Sequence, residues 1–261
     1  MSARIYPDVC VLLTLDFEQN ALFRKCTLFR ESIQRANISC YLLSSVNRIH
    51  NSIIEEIVEA GGNSIRGLWH HLSMAKGGGV PYVLENTVLT EEDLFGIRQF
   101  FREKILQQKR ELAKDQIQIQ EVWAIDTFRK MEKEYDGKIP LFNYLKRLST
   151  YQLEYYVSSK NATLRTKVQL NLFDEEPVDP NSVKNTNLEK ALIEFGFKDY
   201  EDINHIYCLA WLKEKRGHKP IFATTDRRLC ECKDIILEHT GVIVEDALYA
   251  VSTYQDIMKK K

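Results

Sequence analysis

Apolar residues gather here in two patterns, short unbroken runs and longer stripes at helical spacing, and the two alternate at both ends of the chain. Residues 9–15, VCVLLTL, form a near-continuous apolar run that closes on Asp16. Such a run predicts a strand buried on both faces of a parallel sheet. Over residues 20–36, Leu22, Phe23, Cys26, Phe29, Ile33 and Ala36 share one side, and Arg24, Lys25, Arg30 and Arg35 lie elsewhere. That spacing predicts an amphipathic helix with Asn20 as N-cap and Asn37 as stop. Residues 38–43 read as a second strand. Ser44, Ser45 and Asn47 then open a helix marked by Ile49, Ile53, Ile54, Ile57 and Val58, which stops at Gly61-Gly62.

The alternation returns near the carboxyl end. Leu188, Leu192, Ile193 and Phe195 predict a short helix ending at Gly196. Asp202 then opens an amphipathic run with Ile203, Ile206, Leu209, Ala210 and Leu212 in register. A break at Gly217, His218 and Pro220 leads into the apolar burst Ile221-Phe222-Ala223, followed by Thr224, Thr225 and Asp226. Residues 229–237 suit a helix, and residues 242–244 a last strand. Strand–helix alternation at both ends predicts an α/β fold, a parallel sheet flanked by helices.

The middle differs. Residues 90–156 are long, charged and helical in spacing, with a stripe of Leu94, Ile97, Phe100, Phe101, Ile105 and Leu112. Asp136-Gly137 and Pro140 interrupt it, and Leu141, Tyr144, Leu145 and Leu148 resume it. Cations including Lys146 and Arg147 decorate these helices, either as a solvated face or as phosphate contacts. Residues 171–187, broken by Pro177 and Pro180 and rich in acids, read as a loop. The expected organisation is an α/β core from residues 1–62 and 188–261, with residues 63–187 as a largely helical insertion.

Composition narrows the classes without choosing among them. A hydrophobic fraction of 44% and a charged fraction of 28% fit a globular protein, and a net charge of -1 advertises no bulk affinity for nucleic acid. No apolar run approaches the roughly 18 residues that span a bilayer. With no secretory leader evident, the six cysteines are expected to be reduced thiols in a cytoplasm. Cys230 and Cys232 make a lone C-x-C without a second pair at zinc spacing. Gly77-Gly78-Gly79 lacks the Lys-Ser/Thr of a phosphate loop, which counts against a small-molecule phosphotransferase, and reads as a hinge. His70-His71 diverge on any regular element and read as surface or loop residues.

Candidate chemistry lies in the acids that end or follow strands. In open α/β sheets ligands gather at the carboxyl ends of strands. Asp16 and Asp226 are expected there, with Asp202 at the front of the helix leading into the Asp226 strand. The alternative for each acid is helix capping. His205, one turn after Asp202, reads as a packed side chain or as one that orients a ligand.

Three stretches carry a resemblance to the PIN domain, a family of metal-dependent nucleases: VCVLLTLDF with Asp16, D-x-x-H-I-x-x-L-A with Asp202 and His205, and I-F-A-T-T-D-R-R-L with Asp226. The closing H-T-G-V-I-V-E-D is similar to the family's last strand, and the likeness is most specific over residues 199–246. It implies a Mg or Mn site held by Asp16, Asp202 and Asp226, hydrolysis of phosphodiester bonds in single-stranded RNA, and Arg227 and Arg228 as phosphate contacts. The chain departs from the family in the much longer region between the second strand and Asp202, and at two local positions. Glu18 stands where Asn, Ser or Thr is usual, and it is a candidate fourth metal ligand. The helix after the second strand offers Asn47, Arg48, His50 or Asn51 where the family has Glu. The departures motivate a second expectation, a catalytically impaired PIN-like module that binds nucleic acid or a protein. Self-association and a protein partner both stay open.

Overall fold

The computed structural model describes residues 2–17, 20–75, 87–107, 111–179, 181, 183–197 and 199–260. Glu18 and Gly77-Gly78-Gly79 lie outside the described residues. Two compact units divide the chain: a sheet unit of residues 1–51 and 160–261, and a helical unit of residues 52–159.

The sheet unit begins with β1 (Ala3–Pro7), α1 (Val9–Asp16), α2 (Phe23–Ala36) and β2 (Cys40–Leu42). The apolar run 9–15 is therefore a helix, and the first strand is the shorter ARIYP before it. Asp8 caps α1, accepting a hydrogen bond from Val9 N at 2.6 Å. Val9, Val11, Leu12, Leu13 and Leu15 are all buried. A helix that is apolar all round buries every face, and an eight-residue run of this kind cannot be told from a buried strand by periodicity.

After α3 (Ser44–Ala75) comes the hairpin-like pairing of β3 (Val88–Leu89) with β4 (Ile139–Pro140). Between these two strands run α4 (Glu91–Gln107) and α5 (Glu111–Glu134), and α6 (Leu141–Gln169) follows β4. The helical unit packs around Leu68, Ile97, Phe101, Phe128 and Tyr144. Tyr144 satisfies its buried hydroxyl by donating to Ala124 O at 2.9 Å. The helix expected to stop at Gly61-Gly62 runs on to Ala75. A Cβ on Gly61 would lie 2.0 Å from the Gln120 side chain, so this glycine serves close helix packing and not termination.

The chain then returns through β5 (Leu172–Asp174), α7 (Thr186–Glu194), α8 (Tyr200–Arg216), β6 (Lys219–Thr224), α9 (Arg227–Glu231), α10 (Lys233–Thr240), β7 (Ile243–Asp246) and α11 (Ala247–Lys259). All pairings in the main sheet are parallel, in the order β5-β2-β1-β6-β7. Ile5 stands opposite Ile221 on one side and Cys40 on the other. Counted within this sheet, the strands run third, second, first, fourth, fifth. The order reverses between β1 and β6, and that switch point is where a doubly wound sheet opens a crevice at its carboxyl edge. The two units divide at 51/52 and 159/160, where 62/63 and 187/188 are expected from sequence: only the start of α3 lies in the sheet unit, and the end of α6 and β5 lie there too. Among the described residues no helix is long and apolar enough to cross a membrane.

One buried ionic cluster ties the β5 edge to the sheet. Glu175, its side chain 2% exposed, meets Arg4 at 2.6 Å and Arg216 at 3.1 Å and accepts from the Tyr6 hydroxyl at 3.0 Å. Burial pushes the Tyr6 phenol up, and Glu175 adds to the shift, so the hydroxyl stays a donor. Arg4 also lies over the Tyr41 ring at 4.2 Å. Breaking a buried pair by removing one partner strands the other, so Glu175→Ala is expected to cost about 3 kcal/mol. Calorimetry would show this as a melting temperature lower by roughly 6–12 °C.

Candidate metal centre

Asp8 leaves the end of β1 and is pinned to β6 by its N–H, which donates to Ala223 O at 2.9 Å. Its carboxylate is held by the first turn of α1 and by the end of β6. Oδ1 takes the Val9 N–H, and Oδ2 accepts from the Cys10 thiol at 2.9 Å and the Thr224 hydroxyl at 2.7 Å. Thr224 Oγ1 in turn accepts from Asp226 N at 3.0 Å, linking the two acids through one buried side chain. The N-terminus of α1 favours negative charge at Asp8. Burial pushes the Cys10 thiol well up and Asp8 adds to it, so Cys10 stays protonated and donates.

The second acid comes from α8. Asp199 caps this helix, accepting from Glu201 N at 3.0 Å and Asp202 N at 3.4 Å. Asp202 is thereby relieved of the capping role and sits within the first turn. Ile203, Ile206, Leu209 and Leu212 bury the apolar face of α8. His205, one turn after Asp202, is 1% exposed, with its ring 6.2 Å from that of Phe222. Its Nδ1 lies 2.9 Å from Ser45 Oγ, and its Nε2 has no hydrogen-bond partner among the described residues. Asp8, Asp202 and His205 each offer a ligand atom, all within 4.8 Å of one another.

Crowding of like charges marks the site. Burial, then Asp8, Asp199, Asp226 and Glu201, push the Asp202 carboxyl up to about 8. Burial holds the His205 imidazole below its ordinary range, with Arg48 acting in the same direction, against the pull of Asp8 and Asp199. Two carboxylates and a neutral imidazole form a donor set for a divalent cation.

The residues expected from sequence divide between this cluster and other places. Asp202 belongs to it. Asp226 caps α9, accepting from Arg228 N at 2.7 Å and Leu229 N at 3.3 Å, and its charge acts on Asp202. Asp16 stands at the far end of α1, eight residues and so about 12 Å of helix from Asp8. Its fully buried carboxylate accepts from His50 Nε2 at 2.7 Å, Thr163 Oγ1 at 3.0 Å and Thr166 Oγ1 at 2.6 Å. The acid at the carboxyl end of the first strand is therefore Asp8 and not Asp16, because the run 9–15 coils into a helix. Arg227 is exposed and pairs with Glu231 at 2.8 Å, and Arg228 is exposed beside it. After the second strand, Asn47 accepts from Lys167 and His50 serves Asp16, while exposed Arg48 places its charge toward His205. The pairing of Ser45 with His205 escapes a reading of the sequence because it joins α3 to α8. Asp8 had a signal in Y-P-D-V, an acid set between a β-prone stretch and an apolar run.

Comparison of the chain with protein-family models, with curated proteins and with solved structures found no match.

Proposed function

We propose that this chain is a divalent-cation-dependent nuclease that hydrolyses phosphodiester bonds, with single-stranded RNA as substrate, as a PIN-like protein would. The observation that carries the reading is the meeting of Asp8 and Asp202 at the switch point of the sheet. There their mutual repulsion, with Asp226 close by, creates a demand for positive charge. The donor chemistry would suit Mg²⁺ or Mn²⁺ held by Asp8 and Asp202, with the charge of Asp226 adding to the pull on a cation. When bound, the ion supplies an acidified water and offsets the charge of the phosphate.

The chain's own residues do the rest. Thr224, Cys10 and the α1 N-terminus hold Asp8 still, so it needs no reordering when a cation arrives. Arg48 and Arg228, both exposed, are the cations we assign to the substrate backbone. The six free thiols fit a reducing compartment, and we place the protein in the cytoplasm.

A labelled single-stranded RNA and Mn²⁺ test the reading. Asp8→Asn is expected to lower the cleavage rate by more than about a hundredfold, beyond what loss of an outer-shell partner costs. Cleavage unchanged in that variant would remove the reaction from this site. The lack of a Glu among Asn47, Arg48, His50 and Asn51, where the family has one, favours a second reading, a module that binds nucleic acid without cutting it. The helical unit offers such a module a groove in which Trp123 and Tyr151 stack at 3.7 Å beside Lys146 and Arg147. RNA binding that persists in EDTA, with no cleavage in any dication, would favour that module.

A further inference from the structure

We propose that His205 is itself a ligand, through Nε2, and that it makes this centre select Mn²⁺ and its first-row neighbours over Mg²⁺. The inference rests on the reading of Asp8 and Asp202 as a cation site and adds to it the identity of the third donor and of the ion.

The geometry begins at Ser45. Its hydroxyl lies 2.9 Å from His205 Nδ1, which occupies that nitrogen and fixes the plane of the ring. With Nδ1–H donating to Ser45 Oγ, the lone pair stands on Nε2, the tautomer that a ligating histidine needs. Nε2 is buried and has no hydrogen-bond partner among the described residues. A buried ring nitrogen left unpaired costs free energy, so an atom of this kind calls for a ligand. The carboxylates of Asp8 and Asp202 and the His205 ring each offer a ligand atom, all within 4.8 Å of one another. Neighbouring ligand atoms on one ion at about 2.1 Å lie roughly 3.0–3.4 Å apart, so drawing ligand atoms that lie within 4.8 Å of one another onto one ion takes side-chain movements of up to about 2 Å.

The selectivity follows from donor type. Mg²⁺ demands a near-ideal octahedron of oxygens and gives up its waters reluctantly. A rigid, buried imidazole fixed at one corner gives Mg²⁺ a nitrogen in place of a water oxygen, whereas first-row transition ions accept imidazole well. A third carboxylate in the same position would have the opposite bias.

Calorimetric titration of the EDTA-treated full chain with MnCl₂ and with MgCl₂ tests this. Mn²⁺ is expected to bind at least about tenfold more tightly than Mg²⁺. His205→Gln is expected to weaken Mn²⁺ by more than about tenfold while moving Mg²⁺ little, so that the preference collapses. Should that variant fail to fold, pulsed electron paramagnetic resonance of Mn²⁺ in the wild-type chain decides the matter, because a directly bound imidazole gives a ¹⁴N coupling. Mn²⁺ binding with no ¹⁴N coupling, or with equal affinity for Mg²⁺, overturns the assignment of His205 and leaves the carboxylate site standing. Failure of both cations to bind overturns the site and the assignment together.

Discussion

Replacing Asp202 by asparagine is expected to abolish Mn²⁺-dependent cleavage and, in the same protein stripped of metal, to raise the melting temperature. The second effect follows from the carboxyl being pushed up to about 8 from an ordinary 3.8, by burial first and then by Asp8, Asp199 and Asp226. The folded state therefore holds this proton more tightly than the unfolded chain does. Between roughly pH 4 and pH 8 the native protein binds more protons, so its stability falls as pH rises through that window. The penalty is absent below about pH 4 and complete above about pH 8. Asparagine cannot ionise, so the gain should be small in acid and largest in base. It should be on the order of 2 kcal/mol, or several degrees by scanning calorimetry in EDTA. Saturating wild-type protein with Mn²⁺ should give a gain of the same sign, because a cation offsets the same repulsion. A variant that melts lower than wild type at about pH 9 would show that Asp202 is not a strained charge in the fold.

A rise in stability on losing an acid is the usual mark of a residue retained for something other than folding. Sequence pattern alone reached part of this. Asp202 stands out because its helix has clear periodicity, and Asp226 because IFATTD ends a buried strand in polar residues. Helices α2 and α7 and the strands β6 and β7 were legible for the same reason, since each buries one face or two and is punctuated by Asn37, Gly196, Gly217 or Gly241. β1 was not legible, since five residues with Arg4 among them give too short an alternation to stand against the apolar run beside it. Nor was β5, whose Leu172, Phe173 and Asp174 form an edge strand inside an acid-rich stretch that looks like a loop. The boundary between the units falls inside α3 and α6, where no glycine, proline or change in polarity marks it. His205 was discounted on its own element, as a lone histidine on a helix should be. What changes its meaning is Ser45 on another helix and Asp8 just past the end of β1, and such pairings over long sequence distance leave no periodic trace.

Asp16→Ala is expected to do the reverse of Asp202→Asn: it should unfold the protein more easily and leave the metal affinity of the folded fraction unchanged. Asp16 accepts three hydrogen bonds inside the sheet unit, from α3 through His50 and from α6 through Thr163 and Thr166, and its side chain is 0% exposed. Deleting it removes the acceptor of these three bonds and opens a cavity at the end of α1. Both effects point the same way, and a loss of about 3–5 kcal/mol is expected. For a chain of this size that is a fall of roughly 6–20 °C in melting temperature. Asparagine keeps one acceptor oxygen but turns an NH₂ toward donors, so Asp16→Asn should fall between alanine and wild type. If Asp16 were instead a metal ligand, the pattern would invert, with Mn²⁺ affinity lost and the metal-free melting temperature held or raised. Titrating Mn²⁺ into Asp16→Asn and Asp202→Asn side by side, each with its melting curve, separates an acid that builds the fold from an acid that strains it.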